Sequence, residues 1–148
     1  MIEPLDAEVR LHIYRRFLET GRSPSSEETS ADVGAPVAAV EAALDRLADA
    51  HMLVLHPGTH DIWMANPLSA VPTRFRATTP RGSFYGNCVW DVLGIPAMLA
   101  TDATIAASCP DCDDPLSLKV SDGALAPTDA MVHFAVPARH WWDDIGYT

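Results

Sequence analysis

An α+β fold is what this sequence predicts, on three observations. The first third carries apolar residues at helical spacing, punctuated by capping and glycine signals. The remainder is a series of short β-rich runs separated by turn residues. A length of 148 residues with 48% apolar and 20% charged content is enough to bury one medium core or two small ones. Leu5, Val9, Ile13 and Phe17 recur every four residues, with Leu11, Tyr14 and Leu18 widening the stripe, so residues 5–20 form an amphipathic helix that Gly21 ends. Ser25 and Glu28 have capping-box spacing and open a short second helix that stops near Gly34. Pro36 suits the first position of a third helix, whose buried stripe is Val37, Val40, Leu44 and Leu47. Residues 53–56 and 62–65 are apolar runs separated by Pro57-Gly58-Thr59-His60-Asp61, which predicts a hairpin. Three helices and a hairpin give residues 1–66 a winged-helix-like character.

Residues 66–72 have the composition of a connector, so a second, thiol-containing α+β domain is expected over residues 67–148. A strand over residues 75–79 is followed by a break at Pro80-Arg81-Gly82-Ser83. Phe84-Tyr85-Gly86-Asn87 then delivers Cys88 to a helix, with Asn87 as its cap and Val89, Val92 and Leu93 as its packing residues. Gly94 and Pro96 should bend or restart that helix before residues 97–99. Runs at 104–108, 116–120 and 131–136 predict a small antiparallel or mixed sheet. Arg139-His-Trp-Trp-Asp-Asp144 sets two tryptophans beside acids, which suggests a helix or turn with one aromatic face buried.

Composition narrows the partners. A net charge of -10 with a single lysine, Lys119, argues against a nucleic-acid partner, whose affinity comes from clustered cations. Residues 1–66 hold eleven acids against five arginines, and the third helix sets Glu41, Asp45 and Asp49 against Arg46, so the helix that reads DNA in winged-helix proteins has the wrong charge here. No apolar run reaches the ~20 residues needed to cross a membrane, and the first residues lack a signal-peptide pattern, which makes the cytoplasm the expected compartment and a membrane no partner. Three cysteines, an odd number, read as reduced thiols. His51, His56 and His60 lie close in sequence, either as metal ligands or as solvated, hydrogen-bonded side chains.

Two thiol features carry the candidate chemistry. In Cys88-Val-Trp-Asp91 a thiol and a carboxyl stand three residues apart at a helix start, a spacing that turns both to one face. First-turn N–H groups favour the thiolate and the nearby carboxylate opposes it, so the pair should titrate as a unit sharing one proton. The pair offers a soft nucleophile beside a proton donor; equally, Cys88 reads as a small buried hydrophobe and Asp91 as an ordinary first-turn acid. Cys109-Pro-Asp-Cys112 is a C-x-x-C after a strand. No second C-x-x-C completes a zinc site, and no convincing helix follows for thioredoxin-like chemistry, which leaves a tight turn with incidental cysteines or capture of a soft metal.

These pieces together resemble the alkylmercury (organomercurial) lyase family over most of the chain. The resemblance rests on the winged-helix-like N-terminal part, on Tyr85-Gly-Asn-Cys88-Val-Trp-Asp91-Val-Leu-Gly-Ile-Pro96-Ala, on Ala107-Ser-Cys109 and on Val132-His-Phe-Ala-Val-Pro137. It implies that Cys88 binds mercury as a thiolate and that Asp91 helps deliver a proton to the departing carbon, giving a hydrocarbon and protein-bound Hg(II) with no organic cofactor. It also implies a second catalytic cysteine shortly after the segment matching residues 141–148; this sequence shows none there, which leaves a shortened sequence, a protein that lacks that cysteine, or Cys109 or Cys112 as the second sulfur. The functional expectation is therefore carbon–mercury protonolysis acting on a small organomercurial. The alternatives are a thiol protein that holds Hg(II) or Cu without turnover, and a winged-helix regulator.

Overall fold

The computed structural model describes residues 3–146, so Tyr147 and Thr148, the end of the last family-like segment, lie outside the described residues. Three helices come first: α1 (Pro4–Thr20), α2 (Ser26–Val33) and α3 (Val37–Asp49). Each boundary has a local cause. Gly21 and Gly34 close α1 and α2 in the left-handed conformation, at φ 73° and 70°. Ser25 and Glu28 form the reciprocal capping box expected of them. Pro36 caps α3 from one position outside the helix. Val9, Ile13 and Phe17 of α1 meet Val40, Leu44 and Leu47 of α3 in the core, each side chain contributing about 1.5–3 kcal/mol by leaving water. Leu11, one of the flanking apolar residues of α1, faces outward instead.

The strands are β1 (Val54–Leu55), β2 (Ile62–Ala65), β3 (Leu68–Ser69), β4 (Arg76–Thr79), β5 (Gly82–Gly86), β6 (Ala103–Ser108), β7 (Pro115–Ser121) and β8 (Ala124–Leu125), with helix α4 (Val89–Leu99) between β5 and β6. They form one sheet in the order β1-β2-β3-β5-β4-β6-β7-β8, with every neighbouring pair antiparallel. The expected hairpin is β1–β2. The sheet is larger than the small one anticipated, and it runs across residue 66, where β2 passes to β3 through a cis Asn66–Pro67 corner. Ala77, Phe84, Ile105 and Val120 are buried and belong to the same core cluster as Val92 and Ile95 of α4, which packs against β4, β5 and β6.

Two expectations fail in the second half. Residues 131–136 form no strand: β8 takes the place beside β7, and residues 126–133 are exposed. Flanked by Pro127 and Pro137, the segment leaves the sheet, and its apolar residues serve elsewhere. Nor does α4 break at Gly94 or Pro96. Pro96 removes one helical hydrogen bond, but its ring and Ile95 are buried in the core, and packing holds the helix in one piece as far as Leu99. Residues 138–143, expected to be helix or turn, are a 3₁₀ helix.

Candidate active site

The strand β5 ends at Gly86, where the chain is held from two sides. Gly86 N–H donates to Phe75 O at 3.0 Å, and Thr73 Oγ1 donates to Gly86 O at 2.6 Å. A side chain at Gly86 would collide with α4, since a Cβ there would lie 2.6 Å from Val92 N. Strand end and helix start are thus in backbone contact, and Asn87 and Cys88 turn tightly between them. Cys88, not Asn87, is the helix cap: its backbone is extended (φ -140°, ψ -176°) and its carbonyl accepts from Val92 N–H at 3.0 Å. Asp91 then falls at the third helical position, and Cys88 Sγ lies 3.5 Å from Asp91 Oδ2.

Asn87 has a different use. Its Nδ2 donates to Asn66 Oδ1 at 3.0 Å and also serves the Asp91 carboxyl, whereas its Oδ1 is buried without a hydrogen-bond partner among the described residues. Tyr14 Oη of α1 donates to Asn66 O at 2.6 Å, and Pro67 lies against Gly94 of α4. The first helix therefore braces the corner that braces the thiol helix. Asn87 has the residue type of a helix cap, which is why the sequence points to that role; its pairing with Asn66 joins segments 21 residues apart and carries no local signature.

Burial is the main electrostatic influence on both reactive groups. It pushes the Cys88 thiol up; the Asp91 charge adds to this, and the N–H groups of Asp91 and Trp90 only partly offset it. The first-turn stabilisation of the thiolate is present but outweighed. Burial also raises Asp91, against hydrogen bonds from the Cys88 thiol, the Asn87 amide and the Cys88 backbone. Both groups are thus moved the same way, towards their protonated forms, while the Cys88 thiol donates to Asp91 Oδ2.

A cavity opens over this pair, lined by Met64, Asn66 and Asn87, by Trp90 and Asp91 of α4, and by Phe134, Trp141, Trp142, Ile145 and Gly146. A second depression beside it shares Asn87, Cys88, Phe134 and Trp141 and is lined further by Phe75 and His133. Phe134, from the segment expected as a strand, has become part of a cover, whereas Met131 and Val132 are exposed. Phe134 packs on Trp141 with ring centroids 5.1 Å apart, Trp141 Nε1 donates to Val136 O at 2.8 Å, and Trp142 stacks on His51 at 3.9 Å. Of the other histidines, His56 stacks on Trp63 and His60 pairs with Glu41 and Asp45; among the described residues no cluster of three or more metal-ligating side chains exists.

Cys109 and Cys112 sit apart, in the exposed turn from β6 to β7, and line neither depression that holds Cys88. Cys109 N–H donates to Asp114 O and Asp113 N–H to Cys109 O, both at 2.9 Å, with Asp113 left-handed at φ 56°. All three cysteines are free thiols.

No curated protein matches the chain at a significant level. A solved structure described as the mercury-bound form of MerB2 shares the fold, with a TM-score of 0.68 at 20% identity over 86% of this chain. The chain spans 61% of the length of that structure. The family model for alkylmercury lyase matches residues 68–148, more than half of the sequence and the whole stretch from β3 through Cys88, Asp91 and the aromatic cover. With that match, the chain belongs to the alkylmercury lyase family.

Proposed function

We propose that this protein cleaves carbon–mercury bonds by protonolysis, with Cys88 as nucleophile and mercury ligand and Asp91 as proton carrier. The observation that carries this reading is the 3.5 Å contact between Cys88 Sγ and Asp91 Oδ2 in the wall of an aromatic-lined cavity. An organomercurial R–Hg–X enters with its apolar R group against Trp90, Phe134 and Trp141. The Cys88 S–H bond breaks as Asp91 takes the proton, a sulfur–mercury bond forms, and X departs. Asp91, now a carboxylic acid, gives the same proton to the carbon bonded to mercury. The carbon–mercury bond breaks, R–H leaves, and Hg(II) stays on sulfur. A second sulfur donor on mercury weakens the carbon–mercury bond, and a small thiol in solution fills that role when no protein thiol does.

Protons and ligands are exchanged without any change of redox state, so the reaction requires no organic cofactor. The helices and β1–β2 hairpin serve as a winged-helix-like scaffold rather than a DNA reader: Arg46, the one base of α3, is engaged by Asp6 at 2.6 Å, leaving the acids of that helix to face any phosphate. No helix among the described residues is long and apolar enough to cross a membrane, which suits the cytoplasmic setting we infer.

The test is incubation of the purified chain with phenylmercury and excess small thiol, followed by gas-phase measurement of benzene. Slow benzene release that Cys88→Ser abolishes is expected. Benzene no greater than that from Cys88→Ser would remove the enzyme reading, and capture of intact phenylmercury alone would place the protein among non-catalytic thiol binders of soft metals.

A further inference from the structure

From the turn that joins β6 to β7 we infer that Cys109 and Cys112 form a second soft-metal site, a chelating dithiol that takes one Hg(II) independently of Cys88. The inference extends the proposed function and rests on it only for the choice of metal.

The turn is organised around the first sulfur. The backbone N–H groups of Cys112 and Asp111, with the Cys112 thiol, favour the Cys109 thiolate and lower its pKa. The two 2.9 Å backbone bonds between Cys109 and residues 113 and 114 close the loop behind it. The turn closed by these bonds fixes the backbone on which both thiols stand, three residues apart, before any metal arrives, which lowers the ordering cost of chelation. Asp114, two residues beyond Cys112 in the same turn, raises that thiol and offers a carboxylate to the proton that must leave. Asp111, Asp113 and Asp114 surround the pair with negative charge, and the turn is exposed from residue 110 to residue 117.

The donor set selects the ion. Zinc in a closed site asks for four ligands, and among the described residues no third metal-ligating side chain joins the pair. Hg(II) is satisfied by two thiolates and is the softest ion the proposed reaction releases. In binding, two S–H bonds break and two mercury–sulfur bonds form, while the two ligands that mercury brought, chloride or small thiolate, leave and the two protons pass to them or to water. The register sets this site at the same end of the sheet as the reactive pair, since Arg76 of β4 pairs with both Ala106 of β6 and Tyr85 of β5, next to Gly86. Mercury released at Cys88 would meet a second thiol site on the same sheet edge.

The experiment titrates the full chain with mercuric chloride against excess 2-mercaptoethanol, counting mercury per chain by native mass spectrometry and following the ultraviolet mercury–thiolate band. The parent should hold two ions and Cys88→Ser one. Adding Cys112→Ser to Cys88→Ser should weaken the remaining site at least about a hundredfold, the loss expected when a chelate becomes a monothiol. Parent-like melting of both variants, whose turn substitution is fully exposed, excludes misfolding as the cause. Overturning results are a Cys88→Ser protein that holds no mercury, a parent that holds a single ion lost from every cysteine variant alike, or undiminished affinity after Cys112→Ser. The probe is inorganic mercury with no carbon–mercury bond, so this outcome and that of the benzene assay are separable.

Discussion

Replacing Gly86 by alanine tests whether the contact between β5 and α4 positions the reactive pair. The added Cβ would stand 2.6 Å from Val92 N, 2.7 Å from its Cα and 2.9 Å from its Cβ, against about 3.4 Å for an ordinary contact, so strand and helix must part by about 0.8 Å. The obstructing atoms are mainly backbone, and no rotamer change relieves them. Overpacking of this kind costs about 1–3 kcal/mol, which at this chain length lowers the melting temperature by about 3–9 °C. Because Val92 follows directly on Asp91, the same displacement moves the carboxyl relative to Cys88, and a misplacement near 1 Å costs catalysis about a hundredfold. Gly94→Ala in the same helix is the control: its Cβ meets only Pro67 side-chain atoms, at 3.4 and 3.7 Å, and alanine is the better helix former by about 0.5–1 kcal/mol. Thermal unfolding and benzene release on both variants give the readout. A Gly86→Ala protein that melts and turns over like the parent would refute the argument, as would Gly94→Ala proving the more damaging change.

Asp91→Asn keeps shape and polarity but removes the transferable proton, and should slow benzene release by about 10²–10⁴-fold while mercury capture by Cys88 persists; unaltered release would exclude Asp91 as proton carrier. Burial raises Cys88, whereas N–H groups of the turn lower Cys109, so iodoacetamide at neutral pH should label Cys109 ahead of Cys88, with Cys88 catching up as pH climbs past the ordinary thiol value. Peptide mass mapping reads the order, and preferential labelling of Cys88 at pH 7 would contradict it. Glu28, hydrogen-bonded by Arg22 at 2.9 Å and by Ser25 N–H, has its pKa lowered to about 2 from 4.5. A depressed carboxyl stabilises the fold above its unfolded value, and that contribution disappears as pH falls from 4.5 towards 2. Glu28→Gln should therefore flatten the melting-temperature profile over that window, and an unchanged profile would show that the capping box does not couple to global stability.

What was legible in the sequence is what is decided locally. The stripe through Val9, Ile13 and Phe17, the Ser25–Glu28 capping box and the glycine stops depend on residues within a turn or two of one another, so the helices appear within a residue or two of their predicted bounds. The closeness of Cys88 and Asp91 belongs to the same class, because a three-residue spacing at a helix start brings two side chains together whatever surrounds them. Composition also marks where β6 and β7 fall, at the runs 104–108 and 116–120. It does not say which strand lies beside which.

Tertiary structure decided the rest. The insertion of β3 between β2 and β5, and of β4 between β5 and β6, joins segments whose sequences carry no mark of one another. Residues 131–136 have strand composition, yet the position beside β7 is taken by β8, and of their side chains Phe134 lines the Cys88 cavity while Met131 and Val132 are left exposed. Pro96 stays helical because Ile95 and its neighbours are buried deeply enough to outweigh one lost hydrogen bond. The sign of the Cys88 shift was likewise settled by burial, since desolvation depends on everything that closes around a group while the helix dipole depends only on its own turn. Local geometry set the thiol beside the acid; the folded surroundings set the direction in which both groups shift, what covers them and why Cys109 and Cys112 stand outside their cavity.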